Sequence, residues 1–401
     1  MGKLVGIVGK PSSGKSTFLN AACASDIAEV GDYPFTTINP NRGVSYVTVP
    51  CVCREMNVTC EPRNSKCIDG VRYVPVNVLD VAGLVPKAHE GRGLGNKFLD
   101  ELREADVLIH VVDTSGSLNA EGENVDPGSY DPIADIEFLE EEIALWMVGI
   151  LQKNWTRLTR QAETERTKID DVLADQLTGL KIRKPQISRA LNQVNLPGKP
   201  KDWGTKELYT ICSEIRAQSK PIIIAANKID RPTAEKNLSR LEKLRPNLVI
   251  PTSALAETYL QKWEEKGYLS YDRNDGVLEI HEHQISKEKE KEIIIKVQEN
   301  ILKKYGNTGI QQLLNKAFLE ILDLKVVFPV ADVSKLADND GRVLPEAILM
   351  PQGSTPLNLA EEIHADLAKK FIHAVDARTN RRLGETYELK DRDIIRIVSA
   401  A

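Results

Sequence analysis

Apolar residues along this chain recur with two different spacings, and the change of spacing separates strands from helices. Short continuous runs at 4–8, 107–113, 221–226 and 248–251 suit strands buried on both faces of a parallel sheet. Residues 44–50 alternate as a strand, and 71–80 form another. Elsewhere the period is helical: just after residue 17, over 97–105, and from 133 to about 175, where Ile136, Leu139, Ile143, Met147, Ile150 and Leu151 fall at steps of three and four. A second helical piece at 186–194, a hinge at Pro197-Gly198-Lys199-Pro200 and a helix over 205–218 lead back to the strand at 221. Two antiparallel helices projecting from a globular body account for this insertion. Residues 256–305 read as charged and mostly helical, with the run Lys287–Glu292 as a solvated helix face. An apolar helix over 310–322 follows. From 325 the pattern changes to short strands at 326–330, 347–350 and 394–398 around one helix, 356–370, with Leu359, Ile363 and Leu367 on one face. Strands around one helix describe a small β-grasp-like module with no catalytic constellation.

A length of 401 residues allows two or three domains, and 41% hydrophobic with 28% charged residues supports a real core beneath a soluble surface. The net charge of −5 excludes a uniformly basic nucleic-acid wrapper. It leaves room for a local basic face: residues 153–201 hold six Lys and five Arg against two Glu and three Asp, net +6. A basic helical arm on an acidic body fits contact with an RNA backbone. It equally fits a solvated helix face. No apolar run approaches the ~20 residues that span a bilayer. The chain enters its first strand with no basic stretch, apolar segment or cleavage site, so a cytoplasmic protein with no membrane partner is expected. Six cysteines are too few for a disulfide framework.

The candidate chemistry begins between the first strand and its helix. Gly9-Lys10-Pro11-Ser12-Ser13-Gly14-Lys15-Ser16-Thr17 is G-x-x-x-x-G-K-S in the strand–loop–helix context a phosphate-binding loop requires. The glycines let backbone N–H groups turn toward a triphosphate, and the helix N-terminus adds its positive end. Lys15 is expected to neutralise β- and γ-phosphates, and Ser16 to coordinate Mg²⁺. Residues 32–41 hold two prolines and two threonines, too broken for a helix. Thr37, with Thr36 in reserve, is placed to reach Mg²⁺ when a γ-phosphate is present. Asp80-Val81-Ala82-Gly83 follows a strand directly: Asp80 is expected to hold a Mg²⁺-bound water and the Gly83 N–H to sense the γ-phosphate. Leu84 stands where many GTPases carry a water-orienting Gln, with His89 and Arg92 as candidate substitutes. Asn227-Lys228-Ile229-Asp230 closes a strand. Asp230 can accept the N1–H and N2–H₂ of guanine, a donor pair adenine lacks, while Asn227 and Lys228 brace the loop. Ser253, Ala254 and Leu255 follow the next strand, with the Ala254 N–H expected at guanine O6. Lys15, Thr37 and Gly83 are the expected catalytic residues.

Cys51, Cys53, Cys60 and Cys67 lie within seventeen residues at a hairpin tip. They suit a tetrahedral Zn²⁺ or four free thiols, and the Cys-x-Cys pair is tighter than the usual zinc spacing. Without a His among them, either role is structural.

The sequence of motifs, together with Phe35-Thr36-Thr37 and Gly91-Arg92-Gly93-Leu94-Gly95-Asn96-Lys97-Phe98-Leu99, resembles the Obg-like GTPases, and among them the YchF-related subgroup of archaea and fungi. Leu349 to Leu359, with Gly353-Ser354-Thr355-Pro356, resembles the characteristic stretch of a TGS domain. The resemblance spans nearly the whole chain. It implies an α/β, Ras-like P-loop G domain over 1–324 with an inserted α-helical coiled-coil arm (about 133–219), a second helical insertion (about 256–305), and a TGS domain over 325–401. It implies Mg²⁺-dependent binding of GTP and GDP, slow intrinsic hydrolysis, and association with ribosomes or ribosomal RNA through the arm 153–201 and the TGS domain. Well-known relatives carry a degenerate tetrad and accept ATP; Asn227–Asp230 is intact here, so GTP is expected. The loop commonly holds an Asn where Ser12 stands, so the K⁺ activation that this Asn supports is in doubt. The cysteine tip is not general to the superfamily. Two alternatives stand beside the slow GTPase: an ATPase with relaxed base choice, and an RNA-binding assembly factor that uses nucleotide as a conformational lock.

Overall fold

The structure, a computed structural model, describes residues 3–23, 42–81, 95–285 and 287–400, without the side chains of 95–97 and 100. Among the described residues seven strands form the main sheet: β1 (Leu4–Val8), β2 (Arg42–Pro50), β3 (Lys66–Ile68), β4 (Val71–Asp80), β5 (Val107–Asp113), β6 (Ile222–Asn227) and β7 (Val249–Pro251). They run β2-β4-β1-β5-β6-β7, with β3 on β4. From β4 to β7 all pairings are parallel; β2 and β3 are antiparallel to β4. Parallel pairing brings the ends of β1, β4, β5, β6 and β7 to one edge, where Ile7 lies beside Asp80 and Asp113 beside Asn227. Open α/β sheets bind ligands outside that edge.

Every residue of β1, β5 and β6 is buried, because both faces are covered. On one face, helices Lys15–Cys23 and Ile310–Asn315 contribute Phe18 and Leu313 to a core with Val5, Ile7 and Ile109. On the other, helix Gly95–Glu104 and the insertion bury Leu102, Ile143 and Ile211 against Leu4, Val8 and Leu108.

The two long helices of the insertion, Ile133–Gln152 and Thr205–Ser219, form the expected antiparallel pair: Arg216 meets Glu140 at 3.2 Å and Gln152 meets Thr205 at 2.8 Å. Between them the chain does not continue as one helix to 175. It breaks after Gln152 and turns at Arg166 and Lys181, both with positive φ, giving the shorter helices Trp155–Glu165, Ile169–Leu177 and Lys184–Gln193. The reason is burial. Leu173, Leu177 and Ile187 join the core of the long pair, Trp155 stacks on Trp203 at 5.9 Å, and Lys181 Nζ donates to the Glu104 carbonyl at 2.8 Å. The insertion is therefore a five-helix bundle folded back along the domain.

The segment 256–305 holds a hairpin, β8 (Leu269–Tyr271) and β9 (Leu278–Ile280), between helices Ala254–Glu265 and Glu288–Val297. The C-terminal unit is a mixed sheet of β10 (Leu324–Val330), β11 (Ile348–Pro351), β12 (Phe371–Asp376), β13 (Arg382–Leu383) and β14 (Ile394–Ser399), ordered β11-β10-β14-β12-β13. Helix Pro356–Ile363 packs Leu359 against Val327, Met350 and Ile395. The expected helix 356–370 stops at His364, whose extended backbone and Nδ1 (accepting from the Asp366 N–H at 3.2 Å) start a second helix, Ala365–Lys369. This unit docks on the β2–β4 hairpin. Val326, Phe328 and Ile394 share a core with Val47, Val74 and Val76, and the N–H groups of Glu61 and Arg63 donate to the carbonyls of Val343 and Pro345 at 2.8 and 2.7 Å.

Candidate nucleotide-binding site

The loop after β1 is shaped by two glycines. A Cβ on Gly9 would lie 2.6 Å from the Val111 carbonyl oxygen of β5. Gly14 has φ +97° and faces the Asn227 amide, so a side chain there is both strained and blocked. Ser12 takes φ 63° without being glycine, a strained conformation that Asn tolerates better than Ser. The Phe18 N–H donates to Gly14 O at 2.8 Å, starting helix Lys15–Cys23, so the loop's amides lead straight into a helix N-terminus. The Lys15 ammonium contacts the Asp80 carboxylate at the end of β4. The residue read for phosphate and the residue read for magnesium thus meet across the gap between adjacent strand ends. Ser16, exposed on the first turn, adds a hydroxyl oxygen.

The end of β6 is tied to this loop by one side chain. Asn227, 4% exposed, donates from Nδ2 to Ser13 O at 2.9 Å and accepts at Oδ1 from the Ala254 N–H at 3.1 Å. Three separate segments are thereby held in register. The Ala254 N–H expected for guanine O6 is engaged by Asn227. Ser253 Oγ donates to Asp230 Oδ1 at 3.0 Å and orients that carboxylate while Asp230 stays exposed. Lys228, with φ 63°, reaches Asp113 Oδ2 at 3.1 Å. Asp113, 1% exposed, also accepts from Ser115 N–H, Ser115 Oγ and Ser117 Oγ. Burial alone would raise its pKa; the Ser115, Lys228 and Ser117 donors outweigh that and hold it below the ordinary carboxylate range.

Lys10 behaves differently from Lys15. Its ammonium is buried, donating to Leu118 O at 3.0 Å, pairing with Asp135 at 2.8 Å and lying 3.9 Å from the Tyr130 ring centroid. Only its backbone faces the loop's task. Beside it, burial and the Lys10 charge push the fully buried His110 down to about 3.

This geometry coincides with clear likenesses. A family model described as 50S ribosome-binding GTPase matches residues 4–147; one described as Obg-like GTPase YGR210-like, G4 motif-containing domain, matches 225–332; the TGS domain matches 325–399. An uncharacterized GTP-binding protein of Methanocaldococcus jannaschii is 49% identical over 400 residues, 99% of each chain. The chain belongs to the YchF-type Obg-like GTP-binding proteins. A crystal structure of a GTP binding protein from Pyrococcus horikoshii aligns over 100% of both chains with 35% identity and a TM-score of 0.77. The Ribosome-binding ATPase YchF of Haemophilus ducreyi is 31% identical over 70% of this chain and 72% of its own.

An Obg-like fold of G domain plus TGS domain is what the motifs led one to expect, and the chain is a P-loop nucleotide hydrolase by family. The structure brings together the loop 9–17, Asp80, Asn227, Lys228, Asp230, Ser253 and Ala254; Leu255 lies exposed beside them. Thr36, Thr37, Gly83, Leu84, His89 and Arg92 lie outside the described residues. The sequence reading missed Asp113, which anchors Lys228, although its place at the end of a strand adjacent to β6 was a usable signal. Among the described residues no helix is long and apolar enough to cross a membrane.

Proposed function

We propose that this protein is a Mg²⁺-dependent GTPase with slow intrinsic turnover, acting in the cytoplasm as a ribosome-associated switch. The observation that carries the base choice is Asp230: an exposed carboxylate oriented by Ser253, matched to the two donors on guanine. In this reading the amides of 9–17 and Lys15 hold the phosphates, while Ser16, Asp80 and Thr37 hold the metal. Hydroxyl and carboxylate oxygens are the hard donors Mg²⁺ prefers, and Asp80 already stands beside the loop's lysine. The metal would supply charge neutralisation between the β- and γ-phosphates. Gly83 would sense the γ-phosphate. With Leu84 in place of Gln, water is poorly positioned and unassisted hydrolysis is slow. The G domain would span 1–324 and the TGS domain 325–401.

The ribosome role draws on the Haemophilus ducreyi relative's name and on the net charge of +6 over 153–201, where Arg157, Arg160, Lys168, Arg183 and Arg189 are all exposed. That name, which includes ATPase, also favours a second reading with relaxed base choice. Titration with fluorescent GTP, GDP, ATP and ADP in Mg²⁺, repeated with Asp230→Ala, separates the two. A guanine preference of roughly 100-fold, about 2.7 kcal/mol, that vanishes in the variant supports the GTPase. Equal binding of ATP by the wild type selects the ATPase.

A further inference from the structure

The cysteine tip carries chemistry that nucleotide binding does not use. Cys51, Cys53, Cys60 and Cys67 place their sulfurs all within 4.8 Å of one another, and Cys53 and Cys67 are 3.8 Å apart. A tetrahedral zinc with bonds of about 2.3 Å sets its sulfurs about 3.8 Å apart, so the spread fits one metal ion. It is far too wide for a disulfide, whose sulfurs sit about 2.05 Å apart. The four residues come from separate local devices. Cys51 precedes the short helix Val52–Glu55 that carries Cys53, Cys60 leads into the segment pairing with the C-terminal domain, and Cys67 lies in β3. Cys51 and Cys53 are buried, whereas Cys53, Cys60 and Cys67 also line an open depression, which gives an ion a way in.

A second observation points to an anion at the same place. Arg72 is completely buried, and its partners among the described residues are a hydroxyl, a carbonyl and a ring rather than a carboxylate. It donates to Ser65 Oγ at 2.8 Å and Leu344 O at 2.9 Å, its Nε has no partner, and it stands opposite Cys67 in the β3–β4 ladder. A buried guanidinium with no carboxylate beside it is costly even when hydrogen-bonded. Four thiolates on Zn²⁺ carry a net charge of −2, and Arg72 would offset half of it.

We propose that these four cysteines bind one Zn²⁺, each losing a proton to the solvent as its sulfur bonds to the metal, and that the site holds the hairpin tip in the shape on which the C-terminal domain docks. Cys60 is followed at once by Glu61, whose N–H bonds Val343 O, and Arg72 joins the cluster to Leu344. The zinc therefore sits beneath a domain interface. The proposal is independent of the nucleotide reading.

The test is metal analysis of the full chain purified under reducing conditions without chelator. About one zinc per chain is expected, released when a mercurial blocks the thiols, and Co²⁺ in its place should give the spectrum of a tetrahedral tetrathiolate. The double variant Cys53→Ser/Cys67→Ser should lose the zinc, while Cys212→Ser, buried in the helical bundle, keeps it. In the double variant, amide exchange at 61–63 and 343–347 should speed up at least tenfold, with β6 and guanine-nucleotide affinity unchanged. Absence of zinc from the reduced wild-type chain together with no uptake from micromolar Zn²⁺, iron in its place, or zinc retained by the double variant overturns the site. Zinc loss without faster exchange at 343–347 overturns the docking role.

Discussion

Two buried side chains of the parallel strands, Asn227 at the end of β6 and His110 in the middle of β5, have consequences that a measurement can read. Asn227 spends both ends of its amide on other segments, on Ser13 O and the Ala254 N–H. In Asn227→Ala those two buried groups lose their partner, at about 1–3 kcal/mol each. Chemical denaturation should show a loss of roughly 2–6 kcal/mol, and nucleotide affinity should fall because the loops no longer share a frame. An Asn227→Ala variant as stable as wild type would show that the clamp is not formed. His110 contributes to acid stability. Its folded pKa of about 3 lies below the ordinary value near 6.5. Below pH 6.5 the unfolded chain takes up a proton that the folded chain refuses. The stability is therefore complete above pH 6.5 and is lost as pH falls toward 3, by at most about 1.4 kcal/mol per unit. Urea midpoints between pH 7 and 5 should fall for the wild type and much less for His110→Leu. Equal slopes would contradict the buried neutral imidazole.

Helices and hairpins show where local pattern meets packing. The five-helix insertion is closed at its far end by Trp155 on Trp203, each of whose ring N–H groups finds a carbonyl, Pro200 O and Pro197 O. Removing one such ring from a packed core costs about 3–5 kcal/mol. Trp203→Ala should melt the bundle at a lower temperature by circular dichroism while nucleotide affinity stays within twofold, since the base and phosphate loops lie at the sheet edge. Coupled loss of both would mean that the bundle supports the site. Periodicity found the long helices of this insertion and missed its turns, because Arg166 and Lys181 enter the left-handed region only when burial of Leu173 and Ile187 demands it. The hairpin β8–β9 was legible after all: Asn274-Asp275-Gly276 between the alternating triplets Leu269-Ser270-Tyr271 and Leu278-Glu279-Ile280 is a turn signal. A reading dominated by charge hid it. The helix broken at His364 was not legible, since the residues on either side keep helical spacing.

At the scale of the molecule, one continuous core joins the sheet's hairpin edge to the C-terminal domain, and Arg72 lies at its centre over the Phe328 ring. Arg72→Met keeps much of the volume but strands Leu344 O and Ser65 Oγ. Calorimetry should then resolve a separate early transition for the C-terminal domain, where a single one is expected of the wild type; a single unshifted transition in the variant would rule out Arg72 as the joint. Charge reversal at Arg157, Arg160 and Arg189, all exposed, should weaken co-sedimentation with ribosomes and leave GTP affinity intact.

By itself the sequence determined the α/β class and the β-grasp module, and it marked the loop 9–17 and the tetrad Asn227–Asp230 as the candidate site, because each rests on short-range rules: strand period, glycine conformation, and ligand chemistry at fixed spacing. Tertiary structure alone decided that Lys10 turns inward to Asp135, that Asp113 anchors Lys228, and that four cysteines spread over a hairpin converge beneath a second domain. Those outcomes depend on which distant groups share a buried space, and a buried charge or thiol takes the partner that packing brings to it rather than the one its neighbours in sequence suggest.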